Sequence, residues 1–211
     1  MNLKGFTCEE FTTLVIDLTQ DLEKIWQNMS RTSCRQTIKE AEKIGVKINL
    51  NQNYEEFFEI NQLFRKKKGL DTYSESVEFM KKYGTLFTAE FDGEILLGHF
   101  YLEDKNNIRA LFSGSKRFNV DKKKVRLIAN ANKLSIWNTI KYAKDKGIQE
   151  YDMGGYYTGE KKDVQKENIN IFKKGFGGNL VTHYVYEKDY SKLFTLTKKI
   201  FGLKQNIIGK R

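Results

Sequence analysis

The first part of the chain alternates short apolar runs with segments in which apolar residues recur every three or four positions. The run TLVIDL, residues 13–18, predicts a short buried strand, and residues 46–49 predict a second one. Ser33 and Gln36 have the spacing of a capping box, and Gly45 occupies a position typical of a helix end. The helical spacing predicts four helices, over residues 21–29, 33–44, 53–67 and 74–82.

The middle of the chain changes to a period of two, which is typical of strands. Residues 85–91 and 94–102 flank Asp92-Gly93, a dipeptide typical of the type I′ turn of a β-hairpin. Residues 108–113 predict a further strand. The rest of the pattern predicts a long helix over 130–146 closed by Gly147, a strand over 149–153, a helix over 168–174, a strand over 180–187 and an amphipathic helix over 191–201.

This order of strands and helices predicts the α/β (α+β) class, with a mixed, mostly antiparallel sheet flanked by helices. It argues against a helical bundle and against a β-sandwich. No internal repeat or flexible linker interrupts the 211 residues, so we expect a single domain. Its parts are an entry strand with helices over residues 1–50, a core over 51–190, and a terminal helix and tail over 191–211.

The chain is strongly basic, with 37 Lys and Arg residues against 27 Asp and Glu residues and a net charge of +10. Such a charge favours anionic partners such as phosphates, nucleic acid or a membrane surface, and it is also typical of a solvated basic surface. Two cysteines and two histidines argue against a disulfide framework and a zinc site. Because no segment resembles a signal peptide or a membrane span, we expect a cytoplasmic protein that is not transmembrane.

Candidate chemistry lies between residues 130 and 176. Asp152 ends a predicted strand just before Gly154-Gly155, where a carboxylate can orient a substrate and glycines allow its close approach. Lys173, in a short predicted helix, can stabilise negative charge that develops on a carbonyl oxygen. The alternatives are that Asp152 accepts hydrogen bonds in the following loop and that Lys173 is a solvated surface lysine.

Basic side chains near two helix starts are candidates for phosphate binding. Arg35 and Lys39, together with Arg31, line one helix face if their helix extends back past Ser33. Lys116 and Arg117 lie before the long helix, and they are followed by a second group that consists of Lys122, Lys123, Lys124 and Arg126. Both groups are also consistent with a solvated cationic face.

Other residues give weaker signals. Tyr156 and Tyr157 follow the glycine pair and either wall a substrate pocket or pack beneath a loop. His99 lies in the middle of a predicted strand, which is more typical of a core histidine than of a catalytic one. No G-x-S-x-G motif is present and neither cysteine has a histidine nearby in sequence, so a nucleophilic triad is not predicted.

Four segments occur in order between residues 35 and 178: R-x-x-I-K-x-A-E-K-x-G-V, N-K-L-S-I-W, K-G-I-Q-E-Y-D-M-G-G and I-F-K-K-G-F-G-G. Together they resemble the FemABX peptidoglycan-bridge aminoacyltransferases and their short relatives, a branch of the GNAT-like acyltransferase superfamily. The resemblance extends over residues 14–186. It rests mainly on the first motif and on the Y-D-x-G-G and F-K-x-G-F-G pair.

The resemblance implies a single GNAT-like domain and an N-acyltransferase, in which Lys173 stabilises the tetrahedral oxyanion and Phe172 shapes the site. The implied donor is an aminoacyl-tRNA or an acyl-CoA acting as co-substrate, with no permanently bound cofactor and no metal. The implied acceptor is an amine of an amino sugar, a peptide or a peptidoglycan precursor, as in cell-wall or surface-glycan biosynthesis. Asp152 would orient the amine. Further substrate contacts are expected from Arg35, Lys39, Gly154, Gly155, Tyr156 and Tyr157.

The chain departs from the family in two respects. Long members have two tandem GNAT-like domains, of which this chain matches the second, so a homodimer or a second acyltransferase subunit is an expected partner. The Q/R-x-x-G-x-G/A pyrophosphate loop of ordinary GNAT enzymes is absent before the long helix. Two alternatives to catalysis therefore stay open, a non-catalytic RNA-binding module and an inactive partner subunit.

Overall fold

The computed structural model describes residues 4–71, 75–191, 193 and 197. Seven strands and six α-helices lie in that part of the chain. In chain order they are β1 (Thr7–Asp17), α1 (Leu22–Asn28), α2 (Gln36–Lys43), β2 (Lys47–Leu50), α3 (Tyr54–Lys68), α4 (Val77–Tyr83), β3 (Thr85–Phe91), β4 (Glu94–Glu103), β5 (Asn107–Ser115), α5 (Lys122–Asp145), β6 (Glu150–Tyr156), α6 (Val164–Lys174) and β7 (Asn179–Glu187).

The strands form one sheet in the order β2-β3-β4-β5-β6-β1-β7. Strands β2, β3, β4 and β5 make an antiparallel meander, whereas β5 and β6 pair in parallel. The expected α/β class, with a mixed and mostly antiparallel sheet flanked by helices, is therefore confirmed.

The chain divides into two compact units, residues 13–181 and residues 1–12 with 182–211. The larger unit contains β2 to β6 and all six described helices. In the smaller unit the Thr7 hydroxyl donates a hydrogen bond to the Glu187 carbonyl oxygen, and the rings of Phe11 and His183 stack with centroids 5.1 Å apart. The expectation of a single domain stays a prediction, and the helix expected over 191–201 lies largely outside the described residues.

The predicted hairpin is present, and its turn has the expected geometry. Asp92 and Gly93 have φ angles of 50° and 77°, the left-handed values that a type I′ turn requires at both central positions. The helix ends predicted at Gly45 and Gly147 are also confirmed, since both glycines have positive φ just past the last turn. Local sequence signals therefore determine these boundaries.

Several helix starts differ from the prediction. Helix α6, for example, begins at Val164 rather than at residue 168, with Asp163 as its N-cap. A π-helical turn, Arg31–Arg35, runs into α2, and its N-cap is Ser30, whose side chain accepts a hydrogen bond from the Ser33 amide. The capping box at Ser33 was therefore wrong, because the cap lies three residues earlier. The long helix begins at Lys122 rather than at residue 130, because Asp121 caps it by accepting a 2.8 Å bond from the Lys124 amide.

The sheet of the larger unit has an apolar cluster on each face. Adjacent residues of β4, Phe100 and Tyr101, belong to different clusters, as the alternation of side chains along a strand requires. Helices α2 and α5 cover one face and α3 and α4 the other. The approach of α3 is close, because a Cβ atom on Gly98 would lie 2.4 Å from the Phe57 ring. The ends of strands that pack on this core position the candidate functional site.

Candidate functional site

The parallel strands β5 and β6 separate soon after they begin. Their pairing covers only three residue pairs, which end at Arg109 and Asp152, although β5 continues to Ser115 and β6 to Tyr156. Ligands commonly bind at the carboxyl ends of strands in an open α/β sheet, so this opening is a natural place for one.

A cavity of about 370 Å³ lies between the end of β5 and the first half of α5. Its apolar wall comes from Phe64, Leu97, Val125, Ile128, Ala129 and Phe172. Three of these, Val125, Ile128 and Ala129, recur at helical spacing on α5, so one face of that helix forms a side of the cavity. The cavity has the size and apolar lining typical of a small-molecule site.

Lys173 is directed toward the end of β6. Its Nζ donates a hydrogen bond to the Gly155 carbonyl oxygen at 2.5 Å, and the side chain is half-buried. The next residue, Lys174, is exposed, with its Nζ 5.6 Å from the centre of the Tyr156 ring. Two adjacent lysines thus have different environments, as the rotation of about 100° per residue along a helix requires.

Burial lowers the pKa of Lys173, because desolvation disfavours the charged ammonium. The Asp152 carboxylate opposes this effect by attraction, and the Arg109 guanidinium adds to it by repulsion. Lys173 therefore lies in a local field set by one anion and one cation. Such a balance of burial and charge is common at catalytic groups, and it also occurs in structural ion-pair networks.

Asp152 is fixed by two contacts. Its Oδ1 accepts a 2.7 Å hydrogen bond from the Gly154 amide, and its Oδ2 lies 3.3 Å from a guanidinium nitrogen of Arg109. The side chain of Asp152 is only 15% exposed. Asp152 therefore accepts a local hydrogen bond within β6 rather than in the following loop, and it also forms an ion pair that the sequence did not reveal. No local signal identifies Arg109, because its pairing with Asp152 depends on the register of two distant strands.

The backbone around the glycine pair allows close approach. Gly154 has a φ of 80°, and a Cβ on it would lie 3.7 Å from Nζ of Lys173. Gly155 is exposed, and a Cβ there would meet no atom within 4 Å. Open space beside the Lys173 ammonium is what an incoming substrate carbonyl needs.

The two tyrosines after the glycines differ in role. Tyr157 is held by the buried Asn170, which accepts from the Tyr157 amide at 3.0 Å and donates to its carbonyl oxygen at 2.7 Å. The Tyr157 hydroxyl donates to the Lys161 carbonyl oxygen, so this residue packs within its own loop. Tyr156 is half-buried near Lys174. Asn170 thus fixes the loop that follows β6.

A buried pair of tyrosines anchors β6 beneath the site. The hydroxyls of Tyr101 and Tyr151 lie 3.1 Å apart, and burial raises the pKa of Tyr101 to about 12. The pKa of Tyr151 is raised as well, again mainly by burial. Both groups therefore stay neutral and hydrogen-bonded. Tyr151 directly precedes Asp152, so this anchor also restrains the carboxylate.

Of the first basic group, Arg31 and Arg35 lie on the π-helical turn that extends α2 backward. The Nε of Arg35 is buried and has no hydrogen-bond partner among the described residues. Lys39 lies with its Nζ 5.9 Å from the Trp26 ring centre. Neither Arg35 nor Lys39 lines the cavity. Their roles as substrate contacts stay predictions.

The second basic group begins α5 and is partly neutralised. Nζ of Lys124 lies 2.6 Å from a Glu94 carboxylate oxygen, and Arg126 lies 3.2 Å from Glu40. Lys122 and Lys123 are exposed. None of these four residues lines the cavity; the basic residues that do are Arg117 and Lys133. Helical spacing places Lys133 on the same face of α5 as Val125, but only the structure shows that this face lines the cavity.

His99 lines the cavity and is buried. Its Nε2 is 2.7 Å from Oδ1 of Asn132, another lining residue, so the ring donates to the amide oxygen. Burial lowers the pKa of His99 to about 4. The expected core histidine is therefore neutral and satisfied, and it also contributes a polar edge to the cavity.

Within residues 4–71 and 75–191, no three His, Cys, Asp or Glu side chains are grouped so that they could hold a metal ion. No helix in the described part of the chain combines the length and apolar character needed to cross a membrane.

Comparison with known proteins identifies solved structures that share this fold. No protein-family model and no curated protein matches the sequence. The solved structure of FemX matches with a TM-score of 0.71 at 14% identity, covering 91% of this chain and 68% of that one. L-PGS from Bacillus licheniformis matches with a TM-score of 0.62 at 13% identity, covering 98% of this chain and 68% of that one.

A conserved protein of unknown function from Bacteroides thetaiotaomicron matches with a TM-score of 0.56 at 9% identity, covering 88% of this chain and 63% of that one. Identities this low show a common fold and nothing further. The chain spans about two thirds of the length of each of these three proteins. It therefore has a fold that is also found in FemX and in L-PGS.

Proposed function

We propose that this protein is an N-acyltransferase that moves an acyl or aminoacyl group from an activated donor to an amine. The observation that carries the proposal is the half-buried Lys173 ammonium beside an open backbone segment and next to Asp152. The fold shared with FemX supports it, as does the sequence resemblance to the FemABX aminoacyltransferases.

The proposed reaction is direct transfer. The acceptor nitrogen attacks the donor carbonyl carbon, and the carbonyl oxygen becomes an oxyanion near Lys173, whose ammonium stabilises it. When the tetrahedral species collapses, the carbon–oxygen or carbon–sulfur bond to the donor breaks, and the leaving group takes the proton that the amine loses. Asp152 orients the amine and accepts its proton in transit. Arg109 holds the carboxylate in place for this role.

The proposed donor is an aminoacyl-tRNA or an acyl-CoA, and the proposed acceptor is an amino sugar, a peptide or a peptidoglycan precursor. The net charge of +10 and the missing glycine cradle before α5 favour the tRNA ester. A cell-wall or surface-glycan role follows from the resemblance to FemABX enzymes. A second subunit or second copy of the chain would complete an acceptor cleft.

The experiment that tests this proposal compares donors and a matched pair of variants. A thermal-shift panel of acetyl-CoA, longer acyl-CoAs and charged tRNA identifies the donor, because a ligand that binds only the folded state raises the melting temperature. Transfer to a panel of amines is then measured for the parent protein, Lys173→Ala and Lys174→Ala. Turnover that depends on Lys173 supports the proposal. Salt-sensitive RNA binding without turnover would instead favour a non-catalytic RNA-binding module.

A further inference from the structure

The cavity beside β5 has an unusual balance of charge. Among the described residues that line it, none is acidic and two are basic, Arg117 and Lys133. The other polar groups are neutral, including the hydrogen-bonded pair of His99 and Asn132. A cavity with two cations and no anion is suited to a ligand that carries negative charge.

Arg117 and Lys133 differ from three nearby cations that are already paired. Lys116, Lys124 and Arg126 each lie within 3.6 Å of a glutamate carboxylate. In the described part of the chain, neither Arg117 nor Lys133 has an ion-pair partner. Their charges are therefore available to a ligand, whereas the paired cations would first have to give up an existing carboxylate contact.

Aromatic contacts hold Arg117 in position. The centre of its guanidinium lies 5.5 Å from the ring centroids of both Phe64 and Phe118. A guanidinium that stacks on rings keeps its edge free for hydrogen bonds, and its planar fork matches the oxygens of a phosphate. Lys133 supplies a compact charge from the α5 face of the same cavity. Phe64 itself belongs to the cavity wall, so cation and apolar surface are adjacent.

We propose that this cavity binds a phosphate ester of the acyl donor, with Arg117 and Lys133 contacting the phosphate and the apolar wall packing against the uncharged part. This inference rests on the proposed function. The chemistry it names is shared by coenzyme A and by the 3′ end of a tRNA. It assigns the phosphate contacts to residues other than the basic group 122–126. Phe172 connects the cavity with the site around Lys173, because Phe172 lines the cavity and directly precedes Lys173 in the chain.

The test uses two double variants of equal charge change. Arg117→Gln with Lys133→Gln alters the cavity, and Lys122→Gln with Lys123→Gln alters exposed residues at the start of α5 that do not line it. The probes are coenzyme A and a 5′-phosphorylated CCA trinucleotide, titrated by calorimetry at about 50 and about 200 mM salt. Melting temperatures of all proteins check that they fold.

We expect at least one probe to bind the parent protein, and the cavity variant to bind it about tenfold more weakly or worse, the scale of losing charge-assisted hydrogen bonds. Its binding should also depend less on salt. The control variant should stay within about twofold of the parent protein. Whichever probe responds identifies the source of the phosphate.

Three results would overturn the phosphate site: no binding of either probe to the parent protein, equal losses in both variants, or a larger loss in the control. Arg117→Lys keeps the charge but loses the fork, and should give an intermediate loss. If the cavity variant loses binding but no donor is ever turned over, the phosphate site stands and the proposed transferase function fails. If turnover requires Lys173 while both variants bind alike, the function stands and this inference fails.

Discussion

The Nζ of Lys173 lies 2.5 Å from the carbonyl oxygen of Gly155, so a cation on α6 is fixed against the end of β6. The contact joins the last turn of α6 to the end of β6. A polar loop separates these two elements in the sequence. It places an ammonium at the opening between β5 and β6, where an oxyanion would need stabilising.

Replacing Lys173 should impair turnover far more than replacing its neighbour. Lys173→Ala should lower kcat by about a hundredfold or more, the scale of losing one oxyanion donor. Lys174→Ala is the matched control, since it removes an exposed lysine one position along the same helix, and it should cost little. Urea unfolding should show Lys174→Ala within about 0.5 kcal/mol of the parent protein. Lys173→Ala loses a charge-assisted hydrogen bond to Gly155, so it should be destabilised by about 1 kcal/mol and still fold. Equal small effects on kcat would show that the site is misassigned.

Removal of the Asp152 charge and removal of the Arg109 charge should shift the alkaline limb of the pH–activity profile in opposite directions. The Asp152 carboxylate raises the pKa of Lys173 and the Arg109 guanidinium lowers it. In the proposed mechanism the protonated amine of Lys173 is the active form, so activity should fall as pH rises through its pKa. Asp152→Asn should therefore shift the fall in kcat/KM to lower pH, and Arg109→Gln should shift it to higher pH. Shifts in the same direction would contradict the assigned local field.

His99 should make the folded state sensitive to mild acid. Its pKa is about 4 when folded and near 6.5 when unfolded, so the unfolded chain binds more protons between these values. Stability is therefore fully present above about pH 6.5 and declines as pH falls toward 4, by about 3 kcal/mol in all. Denaturation at a series of pH values measures this loss. In His99→Gln the decline over this range should shrink, and an unchanged decline would assign it to other groups.

Two glycines should respond differently to a methyl group. Gly98→Ala would place Cβ 2.4 Å from the buried Phe57 ring, so it should destabilise the fold by about 2 kcal/mol or more. Gly155→Ala meets no atom within 4 Å and should leave stability within about 0.5 kcal/mol. If substrate approaches beside Lys173, however, Gly155→Ala should reduce kcat/KM. Full activity with this variant would place the substrate elsewhere.

Much of the fold could be predicted because its signals are local. Asp92-Gly93 alone predicts the turn, since Asn, Asp and Gly are the residues that most readily accept the positive φ angles of a type I′ turn. Gly147 ends α5 for the same reason. The start of α5 was missed because its first turn is polar and charged, and the apolar period that would reveal a helix begins only later.

Local sequence patterns were enough to predict the α/β class, the hairpin and the helix ends at Gly45 and Gly147, because each of these features depends on residues that are close together in the chain. The pairing of Arg109 with Asp152 and the cavity shared by Arg117 and Lys133 become visible only in the folded chain. These relationships depend on the register of parallel strands and on the direction of a helix face. Both are fixed by packing between distant segments, which no local pattern encodes.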